Sequence, residues 1–297
     1  TYIKEKKGAA QLEQALRKEE DSVLKVLVES DNYQKGLQSL ENANLPKDVH
    51  YIVNLTGGTK IMSLMVYDFF RKFNSTFYYI PIGKNVYCNI EKGEMEPLRY
   101  RISLKEYFTL YGLLFECDNT LLKDTKKTLD LFKKQKNRNF YLSKEITGSQ
   151  QASTAEDRRY YSGAWFEEYT YLRIKEELAL QDEDIAMSLK IYRNDLGQND
   201  NEIDVAFMFE NTLHIIECKV SMNGYGKEPQ HIIENYLYKL AAVSKDFGLI
   251  VRPYIFTLHK MDMLSEHSRE NIKKRMRILG ICNIVSGKEL SEQKIKF

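Results

Sequence analysis

Asp204, Glu217 and Lys219 are the residues of this chain whose types and spacing could do chemistry. They lie at one end of a stretch that folds back on itself. Ile203 to Phe209 and Leu213 to Ile216 are rich in β-branched and aromatic residues, and Glu210-Asn211-Thr212 between them is a short polar turn. That pattern predicts a β-hairpin. Residues two apart on a strand share a face, so Glu217 and Lys219 project together while Cys218 points away. The fold-back brings Asp204 to the same pair. Two carboxylates and a lysine between apolar strands suit a divalent metal ion and an activated water. A Glu-x-Lys pair alone is weak evidence, because strands often end in charge where they meet solvent. The full arrangement across a hairpin is much less expected by accident. His214, mid-strand among apolar neighbours, reads as a core histidine rather than a general base.

A second stretch, Thr56-Gly57-Gly58-Thr59-Lys60, follows an apolar strand (Val49 to Leu55) and runs into an amphipathic helix (Lys60 to Phe73). Two glycines let backbone approach a ligand, and a helix start offers unpaired N–H groups at a positive dipole end. The Thr56 and Thr59 hydroxyls and the Lys60 ammonium would complete an anion cradle. In open α/β sheets, ligands bind off the carboxyl ends of strands, where this loop lies. The spacing is not that of a Walker A loop. A glycine turn with Thr59 as helix N-cap accounts for the same residues equally well.

The elements that must position these groups follow from periodicity. The chain has 297 residues, room for two domains, and a net charge of +2, so any nucleic-acid-binding surface must be local. Four scattered cysteines with no Cys-x-x-Cys pair argue against zinc and disulfides and fit a reducing cytoplasm. No apolar run reaches membrane-spanning length. In the first hundred residues, helices at Glu5 to Glu19, Tyr33 to Asn42 and Lys60 to Phe73 alternate with strands at Val23 to Val28, Val49 to Leu55 and Thr76 to Ile80. This alternation predicts a parallel, Rossmann-like α/β domain, with Val86 to Ile90 and Leu98 to Ile102 as antiparallel edge strands.

A helical connector follows, with a helix at Ile102 to Leu114 stopped by Gly112 and a basic one at Leu121 to Lys136. Its cations (Lys123, Lys126, Lys127, Lys133, Lys134, Lys136 and Arg138) form either a nucleic-acid path or a solvated face. Gly148 to Asp157 reads as a linker or gate. A helix from Tyr161 to about Leu180, a strand at Ile185 to Tyr192, a polar loop at Asn194 to Asn201, the hairpin, a helix at Gln230 to Val243, a strand at Gly248 to Val251 and a basic helix at Ser265 to Ile278 complete a second α/β domain. Trp165 and Phe166 are expected to anchor its first helix. Gln230 and Lys239 either reach a phosphate or sit on a solvated helix face.

Together the two motifs resemble a known family. Thr56 to Lys60 after a Rossmann-like strand resembles the ligand loop of CARF domains, the CRISPR-associated sensors of cyclic oligoadenylate. Asp204, Glu217, Cys218 and Lys219 resemble the core of the PD-(D/E)xK nucleases. In this order and length the pair resembles the CARF effector nucleases of type III CRISPR systems. The resemblance implies a CARF-like domain over residues 1–100, a connector over 101–145 and a PD-(D/E)xK nuclease domain over 146–297. CARF domains ordinarily open with a strand and helix that are not seen before Thr1, which suggests missing N-terminal residues. It implies Mg²⁺ or Mn²⁺ held by Asp204, Glu217 and the backbone at Cys218. A further acidic ligand comes from the first helix, with Glu167 in a Gly-x-x-x-Glu pattern as first choice and Glu168 as reserve. It also implies a homodimer that binds cyclic tetra-adenylate as allosteric activator. The substrate would be DNA (single-stranded or supercoiled), with RNA as a further substrate. No Arg-x-x-x-x-His motif of the metal-independent HEPN ribonucleases occurs. The rival readings are a non-catalytic sensor that grips nucleic acid, and a restriction or repair nuclease indifferent to cyclic adenylates.

Overall fold

The computed structural model describes residues 24–137, 152–193, 199–222, 228–245, 247–248, 250–292, 295 and 297. The chain divides after Arg101 into two compact units.

In the first unit, β1 (Tyr51–Asn54), β2 (Ser75–Tyr79), β3 (Val86–Asn89) and β4 (Glu94–Pro97) form one sheet in that order. β1 and β2 are parallel; the other pairings are antiparallel. A crossover helix, Lys60–Phe70, joins the parallel strands and packs on the Tyr33–Asn42 helix through Leu40, Met65 and Phe69. Gly36 permits that approach, since a Cβ there would overlap the Met65 sulfur. The strand expected at Val23 to Val28 is not formed over residues 24–28; Val26 and Val28 instead lay their side chains on the Met65 and Phe69 cluster. The last edge strand lies at Glu94–Pro97 rather than Leu98 to Ile102, fixed by a tight turn in which the Asn89 carboxamide accepts from Glu91 N and Lys92 N. The expected helix at Glu5 to Glu19 lies outside the described residues.

The second unit is built on a six-stranded sheet of β5 (Leu113–Glu116), β6 (Ile185–Arg193), β7 (Asn199–Phe209), β8 (Thr212–Lys219), β9 (Val251–Thr257) and β10 (Asn283–Ser286). Their order across the sheet is β10-β9-β8-β7-β6-β5. The β7–β8 hairpin is central, and β8, β9 and β10 run parallel. Glu210 and Asn211 carry the hairpin turn, both in the left-handed region, which matches the twist of the flanking strands. Six consecutive residues of β8, Leu213 to Cys218, are buried, as expected of a strand covered on both faces. Full burial of Ile215 and Ile216 contributes about 1.5–3 kcal/mol each. One face packs on the Pro229–Ser244 and Glu266–Leu279 helices through Ile233, Leu237 and Ile272. The other packs on the Trp165–Glu177 and Thr125–Asn137 helices through Phe132, Phe166 and Tyr169.

Residues 102–137 pack within this unit. The helix expected at Ile102 to Leu114 spans Leu104–Leu110, opened by a Ser103–Glu106 capping box, and Leu113–Glu116 is an edge strand paired with β6. Three of the six described lysines of this basic stretch are engaged in ion pairs or a hydrogen bond. Lys123 pairs with Glu156 and Asp157, Lys133 with Asp130, and Lys136 donates to Ser291 O. Arg138 lies outside the described residues, as do residues 148–151 of the expected gate; Ala155–Arg159 is helical. A π-helical turn, Tyr160–Ala164, leads into the Trp165–Glu177 helix. The strand expected at Gly248 to Val251 begins at Val251 and extends to Thr257. Among the described residues no helix is long and apolar enough to cross a membrane.

Candidate active site

The hairpin brings its three predicted residues together. Val205 pairs with Ile216, which puts Asp204 beside Glu217 at the open end of β7 and β8. Asp204 Oδ2 accepts from Cys218 N at 2.6 Å. Lys219 Nζ stands 3.3 Å from that same Oδ2, 2.8 Å from Glu217 Oε1 and 2.9 Å from the Cys218 carbonyl oxygen. Three oxygens from the two strands of the hairpin thus converge on one positive charge.

Burial makes this arrangement expensive and therefore informative. Glu217 is 4% exposed, and a buried carboxylate without partners would shed its charge. Burial, and then the Glu217 charge, push the Asp204 carboxyl up to about 6. Burial alone would lower the Lys219 ammonium; the Asp204 and Glu217 charges overcome it and hold it above the usual lysine range. Lys219 is therefore a fixed cation at neutral pH and not a proton acceptor. The Tyr236 ring lies 5.2 Å from it, ring centre to Nζ.

Glu167, in the first turn of the Trp165–Glu177 helix, lines a cleft of about 730 Å³ together with Lys219, Glu202 and Arg159. Burial, and then the nearby Asp204 charge, raise its carboxyl to about 7. Glu168 turns the other way. It is 2% exposed, and its two oxygens accept from Leu122 N at 2.6 Å and Thr128 Oγ1 at 3.0 Å. Those bonds join the helix to the 121–128 segment and leave Glu168 no part in the cleft. Trp165 and Phe166 are buried anchors, as expected. The Cys218 thiol is buried 3.5 Å from Thr170 Oγ1, so Cys218 meets the site through its backbone N–H and carbonyl. His214 is a buried, stacked core residue between Phe207 and Tyr254, and burial holds its imidazole near 3.

Sequence reasoning undervalued Lys239. Its Nζ lies 3.3 Å from Glu217 Oε1, the oxygen that Lys219 also holds. No local signal marks it, the one lysine of the Pro229–Ser244 helix; only its place opposite β8 does. Gln230 is tied to Glu234 instead. Glu202 and Arg159 in the cleft were not foreseen either.

Among the described residues no three His, Cys, Asp or Glu side chains are grouped to hold a metal ion. The donor set nevertheless fits a hard cation. Asp204 Oδ2, Glu217 Oε1 and the Cys218 carbonyl already surround an ammonium, and all three are the oxygen donors that Mg²⁺ or Mn²⁺ favour.

The loop of the first unit is built differently. Thr59 caps the Lys60–Phe70 helix by accepting from Met62 N at 3.2 Å, and its hydroxyl donates to Ser30 O. Thr56 Oγ1 accepts from Ile80 N at 2.7 Å. Both hydroxyls are thus engaged in holding the loop, and Ser63, unforeseen in sequence, braces it from below through Leu55 O and Gly57 O. Gly58 has φ +82°, and a Cβ there would press on Met62 at 3.3 Å. Gly57 and Lys60 are exposed, and Gly57 has open space around it.

Comparisons with known proteins match both units. The family profile of the Card1 CARF domain matches residues 1–107, and that of a Card1-like endonuclease domain matches residues 154–294. Among solved structures, protein VC1899 from Vibrio cholerae is 20% identical with a TM-score of 0.72, over 97% of this chain and 86% of that one. Can2 from Sulfobacillus thermosulfidooxidans, in complex with cyclic tetra-adenylate, is 20% identical with a TM-score of 0.72, over 98% and 90%. A type III CRISPR defence DNA nuclease activated by cyclic oligoadenylate is 16% identical with a TM-score of 0.56, over 85% of this chain and 40% of that one. At these identities the structural likeness speaks to fold. No curated protein matches.

Proposed function

Because the chain belongs to the CARF-domain effector nucleases, with a Card1 CARF domain followed by a Card1-like endonuclease domain, we propose that it is a phosphodiesterase switched on by a cyclic oligoadenylate. The observation that carries this reading is the Lys219 ammonium held by Asp204, Glu217 and the Cys218 carbonyl at the mouth of a cleft.

Asp204, Glu217 and the Cys218 carbonyl, with Glu167 across the cleft, are the residues that would hold Mg²⁺ or Mn²⁺. A divalent ion there would supply Lewis acidity toward the phosphate and a more acidic bound water. Lys219 remains protonated, orients the attacking water and offsets the charge that grows on the phosphoryl oxygens. Lys239 shares the Glu217 oxygen and helps to aim that carboxylate. Without metal, burial and the Asp204 charge raise Glu167 to about 7, so a divalent ion held there would displace a proton near neutral pH.

The activator in this reading is cyclic tetra-adenylate, bound at Thr56 to Lys60 in a homodimer. Gly57 and Lys60 present backbone and charge to it, while Thr56, Thr59 and Ser63 keep the loop in shape. Exposed Ile61 and Leu64 on the helix that follows support a paired subunit there, since large apolar side chains grouped at a surface mark contact sites. Binding shifts the balance between two arrangements of the nuclease domains. The substrate in this reading is DNA, single-stranded or supercoiled, with RNA as a second.

The test is cleavage of a single-stranded DNA and an RNA with Mn²⁺, with and without cyclic tetra-adenylate. Cutting that requires both metal and activator is the expected result. Cutting at an equal rate without activator removes the sensor half of the proposal. Activator binding with no cutting under any metal makes the second unit a non-catalytic module.

A further inference from the structure

A second cleft, also about 730 Å³, opens in the nuclease unit beside β10 and is not part of the Asp204–Lys219 cleft. Its floor is apolar, formed by Ile272, Met276 and Ile284, and its rim carries Lys260, Arg269 and Lys273. These three cations make no ion pair among the described residues, in contrast to Lys123 and Lys133 on the Thr125–Asn137 side of the unit. Two carboxylates also border the cleft. Glu289 is engaged by Ser286 N and Oγ at 2.7 and 3.0 Å, and Asp262 is exposed.

The register of the parallel strands fixes where this cleft lies. Lys219 pairs with Thr257 across β8 and β9, and Thr257 pairs with Ser286 across β9 and β10. Lys219 and Ser286, which lines the second cleft, therefore stand on one row at the carboxyl end of the sheet. Two interstrand spacings put their backbones roughly 10 Å apart. Partners in register point to the same face. Ile284 is two residues before Ser286 and packs with Ile255 on that face, which is also the face of Glu217 and Lys219.

We infer that this cleft is a subsite for a flanking nucleotide of the substrate strand, reached by the same strand that places its scissile phosphate at Lys219. The inference rests on the nuclease reading above. Its chemistry is that of a single-stranded nucleic acid: an apolar floor receives the face of an unpaired base, and unpaired cations on the rim receive phosphates. A duplex would keep its bases stacked away from such a floor, so the subsite favours single strands or locally opened duplex. It also supplies positive charge that the near-neutral whole chain lacks.

The test uses the full chain with cyclic tetra-adenylate and a long, fluorescently labelled single-stranded DNA. Binding is followed by anisotropy in EDTA, and cleavage is followed separately with Mn²⁺. For the double variant Arg269→Glu/Lys273→Glu, Kd and KM are expected to rise together at least about tenfold. The dependence of log Kd on log salt should flatten by about 0.7 for each phosphate that the variant no longer neutralises. The neutral pair Arg269→Gln/Lys273→Gln should give the same sign with a smaller rise, and both variants should melt within a few degrees of wild type. An abasic DNA should lose less affinity on Ile284→Ala than normal DNA does. Unchanged Kd and salt slope in both variants, with wild type cleaving normally, overturns the subsite and leaves the nuclease reading standing. A wild type that neither binds nor cleaves DNA or RNA overturns the nuclease reading and the subsite with it.

Discussion

The two chemistry-bearing regions of this chain are made in opposite ways. The Thr56–Lys60 loop is five consecutive residues, exposed from Gly57 onward, shaped by a left-handed glycine and by hydroxyls spent on neighbouring backbone. The Asp204–Glu217–Lys219 site is assembled from the two strands of the hairpin with a helix on each side, is largely buried, and is held by charges that shift one another. A loop of the first kind is fixed by backbone geometry and is free to meet a ligand with N–H groups. A site of the second kind is fixed by electrostatics, so its members are strongly interdependent. Substitutions in the two regions should therefore fail differently: activator response in one, catalysis and pH-dependent stability in the other.

The largest expected effect is on catalysis. Lys219→Ala removes the cation that faces both carboxylates, and cleavage should fall by about 10²–10³, the scale of losing one preorganised electrostatic donor. Single-turnover rates at saturating DNA check this; a loss below tenfold would place the chemistry elsewhere. In the loop, Gly58→Val forces a β-branched residue to φ +82° against Met62. The cyclic tetra-adenylate concentration for half-maximal cleavage should rise at least about tenfold. An unshifted titration would remove the loop from activator binding.

A third effect is on stability and has a defined pH sign. The folded-state carboxyl of Glu167 sits at about 7, above its ordinary value of 4.5, so the folded protein binds more protons than the unfolded chain between these values. Stability from this group is present below about 4.5 and is lost as pH rises through about 7. Glu167→Gln, measured in EDTA, should raise the stability at pH 8 by about 1–3 kcal/mol, and the gain should vanish near pH 4. A gain independent of pH would mean that Glu167 is not held protonated by its surroundings. The same variant should cleave poorly, since a stabilised site would have lost a working carboxylate. The smallest effect belongs to its neighbour. Glu168→Gln keeps an oxygen for Leu122 N and should leave cleavage within about twofold, whereas Glu168→Ala strands two buried donors at a cost of about 1–3 kcal/mol. Chemical denaturation of the pair distinguishes these outcomes.

Much of this was legible in the sequence, for identifiable reasons. β7 and β8 are long, apolar and separated by a turn with Asn at a left-handed position, so the hairpin and the convergence of Asp204, Glu217 and Lys219 followed from strand periodicity. Glu167 and Glu168 could not be separated by composition. Their roles depend on helix phase, and the π-helical turn at Tyr160–Ala164 resets that phase just before them. β4, Glu-Met-Glu-Pro, has no apolar alternation to reveal it, and β5 and β10 are only four residues long. Lys239 reaches Glu217 from a separate helix, a tertiary contact with no local trace. In the first unit, residues 24–28 have the composition of a strand but use their valines to cover a helix.

The most direct test of the account compares Asp204→Asn with Glu168→Gln in single-turnover cleavage of single-stranded DNA, with Mn²⁺ and saturating cyclic tetra-adenylate. Both positions are acids of the same unit, one half-buried in the hairpin site and one buried in the structural bond to Leu122 and Thr128. The account predicts that Asp204→Asn loses cleavage by at least about 10²-fold while folding normally, and that Glu168→Gln cleaves like wild type. Equal activity in the two variants, or loss in Glu168→Gln alone, would contradict it.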